Sequence, residues 1–406
     1  MFRTKVAEAG KQHKVLTCLL SVLLGILIIF AIASGIYFGT KPNMPGNVDN
    51  LVSGIYFSNW SVYGAKHFPQ DLDTANLSHV FYAFMKIDGN SGEVSLSDPW
   101  ADVDMPVGND KGALGSFARI KQKNRNLKLI MSIGGWGTAA QFAQATGDEA
   151  KLSKFVDSTI DLVKNHRFDG IDIDWEYPTS HQEGTQLVTL LGRLRERLDQ
   201  LKEGLILTMA SPASEDHCRH IDFPATDRLL TYWNVMAYDF AGSGFSQKTG
   251  YHSNLYGSNG DTSLNVDDIM KFYAARVDRR KIILGMPLYG RSFNKPAAPQ
   301  IGSEFSREAS NGADTVNYGE IDKHAERFDS EKVAAYAYKD ADDVFITYDS
   351  PQCASVKASY IKDNGFGGGF WWDSKGESKE KDRKMVGTFV EALGGSRKLN
   401  DTKNWV

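Results

Sequence analysis

Cysteine is scarce in this chain, and neither sign of charge is in excess. Three cysteines occur among 406 residues: Cys18 in an apolar segment, and Cys218 and Cys353. Two cysteines beyond that segment exclude a disulfide-rich scaffold, so the fold must depend on an apolar core, and whether the two pair stays open. The 46 Lys and Arg residues face 50 Asp and Glu residues and form no basic patch, which argues against a nucleic-acid partner.

One long apolar run does occur, near the N-terminus. Residues 15–38 carry no charge and would span about 36 Å as a helix, more than a hydrocarbon core of about 30 Å. Lysine and arginine are concentrated in residues 1–14, which predicts a cytoplasmic head, a type II membrane anchor and a translocated body. An A-x-A pattern at 31–33 instead favours a cleaved signal peptide. Both interpretations place the body outside the cytosol, at the cell surface or in the extracellular space.

Eight apolar, strand-like runs follow residue 50 and alternate with helix-like stretches. The runs begin at Ser53, Ser78, Leu127, Phe168, Gly204, Tyr232, Lys281 and Phe366. Apolar residues recur at spacings of three and four between them, as at 149–166 and 184–201. This alternation predicts an α/β fold, a (β/α)8 TIM barrel. An open, doubly wound sheet is disfavoured because no glycine-rich dinucleotide loop follows the first strand.

The alternation breaks after the seventh run. Residues 333–349, VAAYAYKDADDVFITYD, hold two alternating segments around a polar turn, a pattern typical of a hairpin. We therefore predict a small α+β insertion on the C-terminal face of the barrel, beside its groove. The predicted bounds are 1–14 for the head, 15–38 for the anchor or signal peptide, 39–50 for a linker, 51–292 and 351–395 for the barrel, 293–350 for the insertion and 396–406 for a tail.

The segment FDGIDIDWEYP, residues 168–178, places acids at every second position of an apolar strand. Asp172, Asp174 and Glu176 share one face, whereas Ile171 and Ile173 take the other. Same-face neighbours lie about 6.6 Å apart along a strand, so Asp174 reaches both other acids. Burial and like charge predict shared protons along the row and a raised pKa for Glu176, as a general acid requires.

These acids resemble the signature of the glycoside hydrolase family 18 chitinases. The family pattern DxxDxDxE is matched by Asp169, Asp172, Asp174 and Glu176. Further motifs resembling the family follow in the same order: SIGGW at 132–136, MAYD at 236–239, GMPLYGRSF at 285–293 and GGGFWWDS at 367–374. The resemblance covers about residues 53–395. The sequences of these motifs most resemble those of fungal secreted endochitinases.

The resemblance implies hydrolysis of β-1,4 links between N-acetylglucosamine units, with retention and without metal or cofactor. Most retaining glycosidases hold two carboxyls about 5–5.5 Å apart, but no second strand-end carboxylate stands here in a nucleophile's position. The substrate's own N-acetyl carbonyl is then the expected nucleophile. By resemblance, Glu176 is the acid and base, Asp174 orients the acetamido group, Asp172 balances the proton of Asp174, and Tyr238 donates to the acetamido oxygen.

The residues implied to bind the sugar lie at strand ends. Side-chain alternation places Met236 and Tyr238 on one face of strand six, with Asp239 at its end, and turns Trp372 rather than Trp371 toward the pocket. Aromatic rings with acids between them are typical of a cleft that stacks sugar rings. The expected substrate-binding set is Tyr56, Phe84, Trp136, Tyr177, Met236, Asp239, Tyr289, Arg291 and Trp372.

Two other functions fit the same barrel. An endo-β-N-acetylglucosaminidase that acts on N-glycans shares the acid row, and a chitin-binding lectin shares the fold but typically loses one of the acids. The insertion, MAYD and Trp372 favour the chitinase, with chitin and chitooligosaccharides as partners and a monomeric chain. The cluster at 217–220, HCRH, is more typical of an exposed turn than of a metal site. Sequons at Asn59, Asn76 and Asn400 are compatible with secretion as a glycoprotein.

Overall fold

The computed structural model describes residues 50–257, 263–307 and 314–406. The predicted head, the apolar segment 15–38 with Cys18, and all of the predicted linker except Asn50 lie outside these residues. Among the described helices, none is long and apolar enough to cross a membrane. The anchor and the signal peptide therefore stay predictions.

Eight parallel strands in the described part of the chain close into a barrel. Strand one pairs with strand two on one side and with strand eight on the other, which leaves the barrel no open edge. The predicted (β/α)8 barrel is confirmed. The strands, one to eight, are Val52–Ser58, His79–Ile87, Lys128–Gly134, Gly170–Asp174, Ile206–Ser211, Tyr232–Val235, Ile282–Pro287 and Gly368–Trp372.

Helices cover the outside of the barrel. The helix predicted at 149–166 has these bounds, and the one predicted from 184 begins at His181, because the Ser180 hydroxyl caps it by accepting from the Glu183 amide. The α-helices in the described residues are Gly112–Lys123, Ala139–Thr146, Glu149–His166, His181–Leu201, Glu215–Cys218, Phe223–Leu229, Val266–Ala274, Pro351–Asn364 and Met385–Leu393.

Strand four separates two environments. Ile171, Ile173 and Trp175 are fully buried in the core between the strands and the helices. Asp172 and Asp174 are buried on the other face, inside the barrel. The alternation in the sequence thus places apolar side chains against the helices and acids in the barrel interior, as predicted.

The insertion is a sheet in its described residues. The predicted hairpin is present, with Ala334–Lys339 antiparallel to Val344–Tyr348. Its predicted start at 293 falls within a strand that already begins at Tyr289. The five antiparallel strands are Tyr289–Asn294, Thr315–Asn317, Arg327–Asp329, Ala334–Lys339 and Val344–Tyr348, with short 3-10 helices at Tyr318–Glu320 and Lys323–Ala325.

Asp169 lies just before strand four, at the end of the barrel opposite Glu176. It is buried and forms an ion pair with Lys121 at 2.7 Å. Its carboxylate also accepts hydrogen bonds from the backbone amides of Leu129, at 2.7 Å, and of Trp405 in the C-terminal tail. This acid of the signature therefore ties the tail to the bottom of the barrel.

We expect Asp169→Asn to destabilise the fold by about 3 kcal/mol, because it leaves the buried Lys121 ammonium without its counter-charge. Chemical denaturation of the variant measures this loss. Asp161→Asn, a change at an exposed acid of helix Glu149–His166, is the matched control and should have no effect. Equal stability of the two variants would show that the ion pair between Lys121 and Asp169 contributes nothing to stability.

Burial limits which of the three sequons can be glycosylated. Asn59 is buried and its amide donates to Ser97 and Asp102, both at 2.8 Å, and Asn400 is 5% exposed. Only the sequon at Asn76 therefore offers a partly exposed side chain for glycosylation.

Cys218 and Cys353 are both buried and free, so the two cysteines do not form a disulfide with each other.

Candidate active site

Asp172 lies at the centre of a hydrogen-bond network inside the barrel. Four side chains from strands one, three, five and six donate to its carboxylate: Tyr56 at 2.8 Å, Ser132 at 2.7 Å, Thr208 at 2.7 Å and Asn234 at 3.3 Å. Burial raises the pKa of Asp172, and these donors oppose the rise because they favour the charged form. The four donors of this network thus stabilise the ionised form of the Asp172 carboxyl.

Asp174 has a different environment although it lies two residues further on. Its Oδ1 atom is buried and accepts no hydrogen bond from the described residues. Burial, followed by the charges of Glu176 and Asp172, raises the pKa of Asp174 well above its ordinary value. These environments favour a proton on Asp174 over one on Asp172, which is surrounded by donors.

Glu176 follows the end of strand four and is partly buried at the barrel mouth. Burial raises its pKa from 4.5 to about 7, a hydrogen bond with Tyr177 lowers it, and the charge of Asp239 raises it further. The predicted direction is confirmed. A carboxyl with a pKa near neutrality can both deliver and accept a proton at physiological pH.

Asp239, just after strand six, is the fixed anion of the site. It has φ 61°, a left-handed conformation that aspartate tolerates better than most residues. Its Oδ1 accepts hydrogen bonds from Tyr289 at 2.6 Å and from Arg291 at 2.8 Å, and Arg291 also pairs with Asp314 at 2.6 Å. Burial would raise the pKa of Asp239, but contacts with His252 and Arg291 outweigh it and lower that pKa.

Tyr238 lies among the acids. Burial raises the pKa of its hydroxyl well above 10, and the negative charges of Asp174, Asp239 and Glu176 add to the rise. The hydroxyl therefore stays protonated and available as a donor. Tyr238 and Met236 pack against the hydrophobic cluster inside the barrel, which includes Tyr56 and Phe370, on the face that side-chain alternation predicts for both.

Aromatic rings stack at the mouth. Trp372 is stacked on Phe84 with 5.7 Å between ring centroids, and Phe84 is stacked on Trp60 at 6.0 Å. Trp372 also meets Tyr56 edge-on at 5.3 Å. Trp60 is 43% exposed and Trp136 is 81% exposed, so both offer ring surface to a ligand. This surface suits stacking of sugar rings.

The glycines of SIGGW allow this arrangement. Gly135 has φ +94°, and a Cβ atom there would come within 2.7 Å of the Phe84 ring. A side chain at this position would displace Phe84 from the stack, so the second glycine serves close packing.

Several predicted residues lie in other places than the sequence indicated. Tyr56 is only 2% exposed, and its hydroxyl serves Asp172 rather than the cleft. The predicted bounds place Tyr289 and Arg291 in the barrel, but strand seven ends at Pro287 and both residues lie on the first strand of the insertion. Tyr177 stacks on His217, with 4.2 Å between the rings.

Trp60, Asp314 and His252 also belong to the site but were not predicted from the sequence. Trp60 could have been found, since it directly follows strand one as Glu176 follows strand four. No local pattern marks Asp314, which belongs to the site only through Arg291. His252 lies in a loop, 3.7 Å from Asp239. Among the described residues, no group of three or more His, Cys, Asp or Glu side chains could hold a metal ion.

Comparisons with known proteins fit this geometry. The model of the glycosyl hydrolases family 18 matches residues 52–377. Sporulation-specific chitinase 2 of Saccharomyces cerevisiae is 32% identical over 418 residues, covering 86% of this chain and 81% of the yeast protein. Endochitinase 1 of Metarhizium robertsii is 33% identical over 377 residues, covering 87% and 88%. The crystal structure of an Ostrinia furnacalis Group IV chitinase in complex with allosamidin matches with a TM-score of 0.77 at 25% identity, covering 85% of this chain and 99% of the insect chain.

Proposed function

Because the chain belongs to the glycosyl hydrolases of family 18, we propose that it is a chitinase that cleaves β-1,4 links between N-acetylglucosamine units by a retaining, substrate-assisted mechanism. The observation that carries the proposal is the acid row, whose last carboxyl, Glu176, has a pKa near 7 at the mouth of the barrel. Both fungal relatives named above are chitinases.

In this mechanism Glu176 protonates the glycosidic oxygen as the bond breaks. The acetamido carbonyl of the same sugar attacks the anomeric carbon, so no protein nucleophile is required. Glu176, now ionised, then removes a proton from the water that opens the cyclic intermediate. Its partly buried position supports both steps, because a carboxyl near its pKa at working pH exchanges protons readily.

The remaining polar groups act on the acetamido group and the sugar ring. Asp174 passes its proton to the ionised Asp172 beneath it, which lies among four donors, and the Asp174 carboxylate then stabilises the positive charge that develops on the acetamido nitrogen. Tyr238 donates to the acetamido oxygen. Asp239 and Arg291, held to each other at 2.8 Å, bind the distorted ring, and Trp372 stacks beneath it.

Product analysis on N-acetylglucosamine oligomers tests the proposal. We expect rapid cleavage with the β-anomer formed first, as retention requires. Release of whole N-glycans without cleavage of chitin oligomers would establish the endo-β-N-acetylglucosaminidase instead. Binding without cleavage would indicate a lectin, although the complete acid row argues against one.

The pH dependence of kcat/KM is expected to have a basic limb near pH 7. The free enzyme must carry the Glu176 proton, and that proton is lost as the pH rises through its pKa of about 7. Initial rates on a soluble oligomer from pH 4 to pH 9 measure this limb. A limb near pH 4.5, the ordinary value for glutamate, would mean that burial does not protect this proton.

For location, we place the catalytic body outside the cytosol, as the apolar segment 15–38 favours. Whether that segment stays as a type II anchor or is removed is a separate prediction. Protease treatment of intact cells that express the chain tests the first part, and the N-terminal sequence of the mature protein tests the second.

A further inference from the structure

His252 is a buried imidazole that the proposed mechanism does not use. It is 0% exposed, and neither of its ring nitrogens has a hydrogen-bond partner among the described residues. A buried polar group without partners costs free energy, and residues that carry this cost are often functional. His252 lies beside Asp239 and Tyr289, two residues of the candidate site.

His252 lies close to Asp239 and to Tyr289, which itself donates to Asp239. The Nδ1 atom of His252 lies 3.7 Å from Asp239 Oδ1, the same oxygen that accepts from Tyr289 and Arg291. The His252 and Tyr289 rings pack with centroids 5.2 Å apart. Hydrogen bonds of a catalytic site are often long without substrate and shorten when substrate binds, so 3.7 Å is within reach of a closed contact.

The backbone around His252 is held firmly on both sides. The His252 carbonyl accepts from the amide of Phe240, the residue after Asp239, at 3.1 Å. The next residue, Ser253, donates to Asp349 at 3.0 Å, and the buried Lys357 joins Asp349 at 2.5 Å and the Ser253 carbonyl at 2.6 Å. His252 is thus fixed to helix Pro351–Asn364 on one side and to the Asp239 turn on the other.

We propose that His252 is a positioning residue whose Nδ1–H holds Asp239 Oδ1, as a third donor beside Tyr289 and Arg291. With three donors on Oδ1, the carboxylate keeps one orientation toward the sugar while charge moves during the reaction. This inference rests on the proposed function, because the orientation of Asp239 matters only if that residue binds the distorted ring.

Three substitutions separate positioning from packing. His252→Asn keeps an N–H near the Nδ1 position, His252→Gln keeps one near the Nε2 position, and His252→Leu keeps most of the volume but no donor. The full-length chain and the variants are compared on the same soluble oligomer for kcat, KM and Tm. If His252 only filled space, leucine would be the best replacement and asparagine the worst.

The positioning role predicts a different order. We expect His252→Leu to keep the Tm of the wild type and lose about 30-fold in kcat, with KM changed less than threefold, because a carboxylate misplaced by a fraction of an ångström loses transition-state contact. His252→Asn should recover most of this loss, despite a lower Tm, and His252→Gln should not.

Two results would contradict the positioning role of His252. If His252→Asn and His252→Gln lose the same activity, the Nδ1 contact has no special role and the inference is wrong; this comparison holds even if the leucine variant fails to fold. If all three variants keep the kcat of the wild type, His252 is a packing residue. If the wild type itself cleaves no oligomer, the proposed function fails first.

Discussion

Glu176→Gln keeps the folded barrel and loses about 10³-fold in kcat on chitin oligomers, the range expected when a general acid is removed. The amide has the shape of the carboxyl but cannot deliver a proton to the leaving oxygen. KM should change little, because the aromatic stack and Asp239 still bind the sugar. Rates measured with and without the substitution, on one oligomer at one pH, give the factor.

The stability of this variant should change in a defined direction. The pKa of Glu176 is raised from 4.5 to about 7, so the folded state is favoured below pH 4.5 and that contribution is lost as the pH rises through 7. Glutamine does not titrate, so the variant should have the higher Tm at pH 8 and no such advantage at pH 4. Glu196→Gln, at an exposed acid of helix His181–Leu201, is the matched control. A glutamine variant that unfolds would make Glu176 a structural residue.

Asp174→Asn is expected to lose about 10²–10³-fold in kcat, as when one preorganised electrostatic contact to a transition state is lost. Burial and its two acidic neighbours raise the pKa of Asp174 and so favour its neutral form, which an amide resembles. The amide cannot become an anion when charge develops on the acetamido nitrogen. The loss should therefore appear in kcat.

Asp172→Asn provides the contrast for this second prediction. Its side-chain NH2 would replace either Oδ2, which accepts from the Tyr56 and Ser132 hydroxyls, or Oδ1, which accepts from Thr208 and Asn234. Two donors would then lose their acceptor, so Tm should fall clearly. Asp174→Asn should lose activity while keeping its Tm. If Asp174→Asn keeps kcat within threefold of the wild type, the acetamido group is stabilised by another residue.

Alternation within strands made much of the barrel predictable. Two-residue periodicity is strict, so Asp172 and Asp174 had to lie opposite Ile171 and Ile173. The bounds of helix Glu149–His166 were predicted correctly, whereas the next helix begins at His181, three residues before its predicted start, because Ser180 caps it. The boundary of the insertion did not follow, because a single residue, Leu288, separates strand seven from the next strand and both are extended.

The candidate site was predictable only where it is local in the chain. The acid row lies within five consecutive residues, 172–176, at the end of strand four and just beyond it, so its geometry is contained in its spacing. Asp314 and His252 reach Asp239 from separate loops, and nothing in their own neighbourhoods indicates it. The accessibility of Tyr56 depends equally on distant residues, because Trp372 and Phe370 pack against its ring.

The insertion is not separable from the catalytic barrel. Tyr289, Arg291 and Asp314, which set the charge and orientation of Asp239, all lie on or beside strands of the insertion sheet. A chimera that received this segment from a relative would inherit a new electrostatic environment for a barrel residue along with a new groove wall. Engineering of substrate range by exchange of this module would therefore alter the chemistry of the reaction as well as its selectivity.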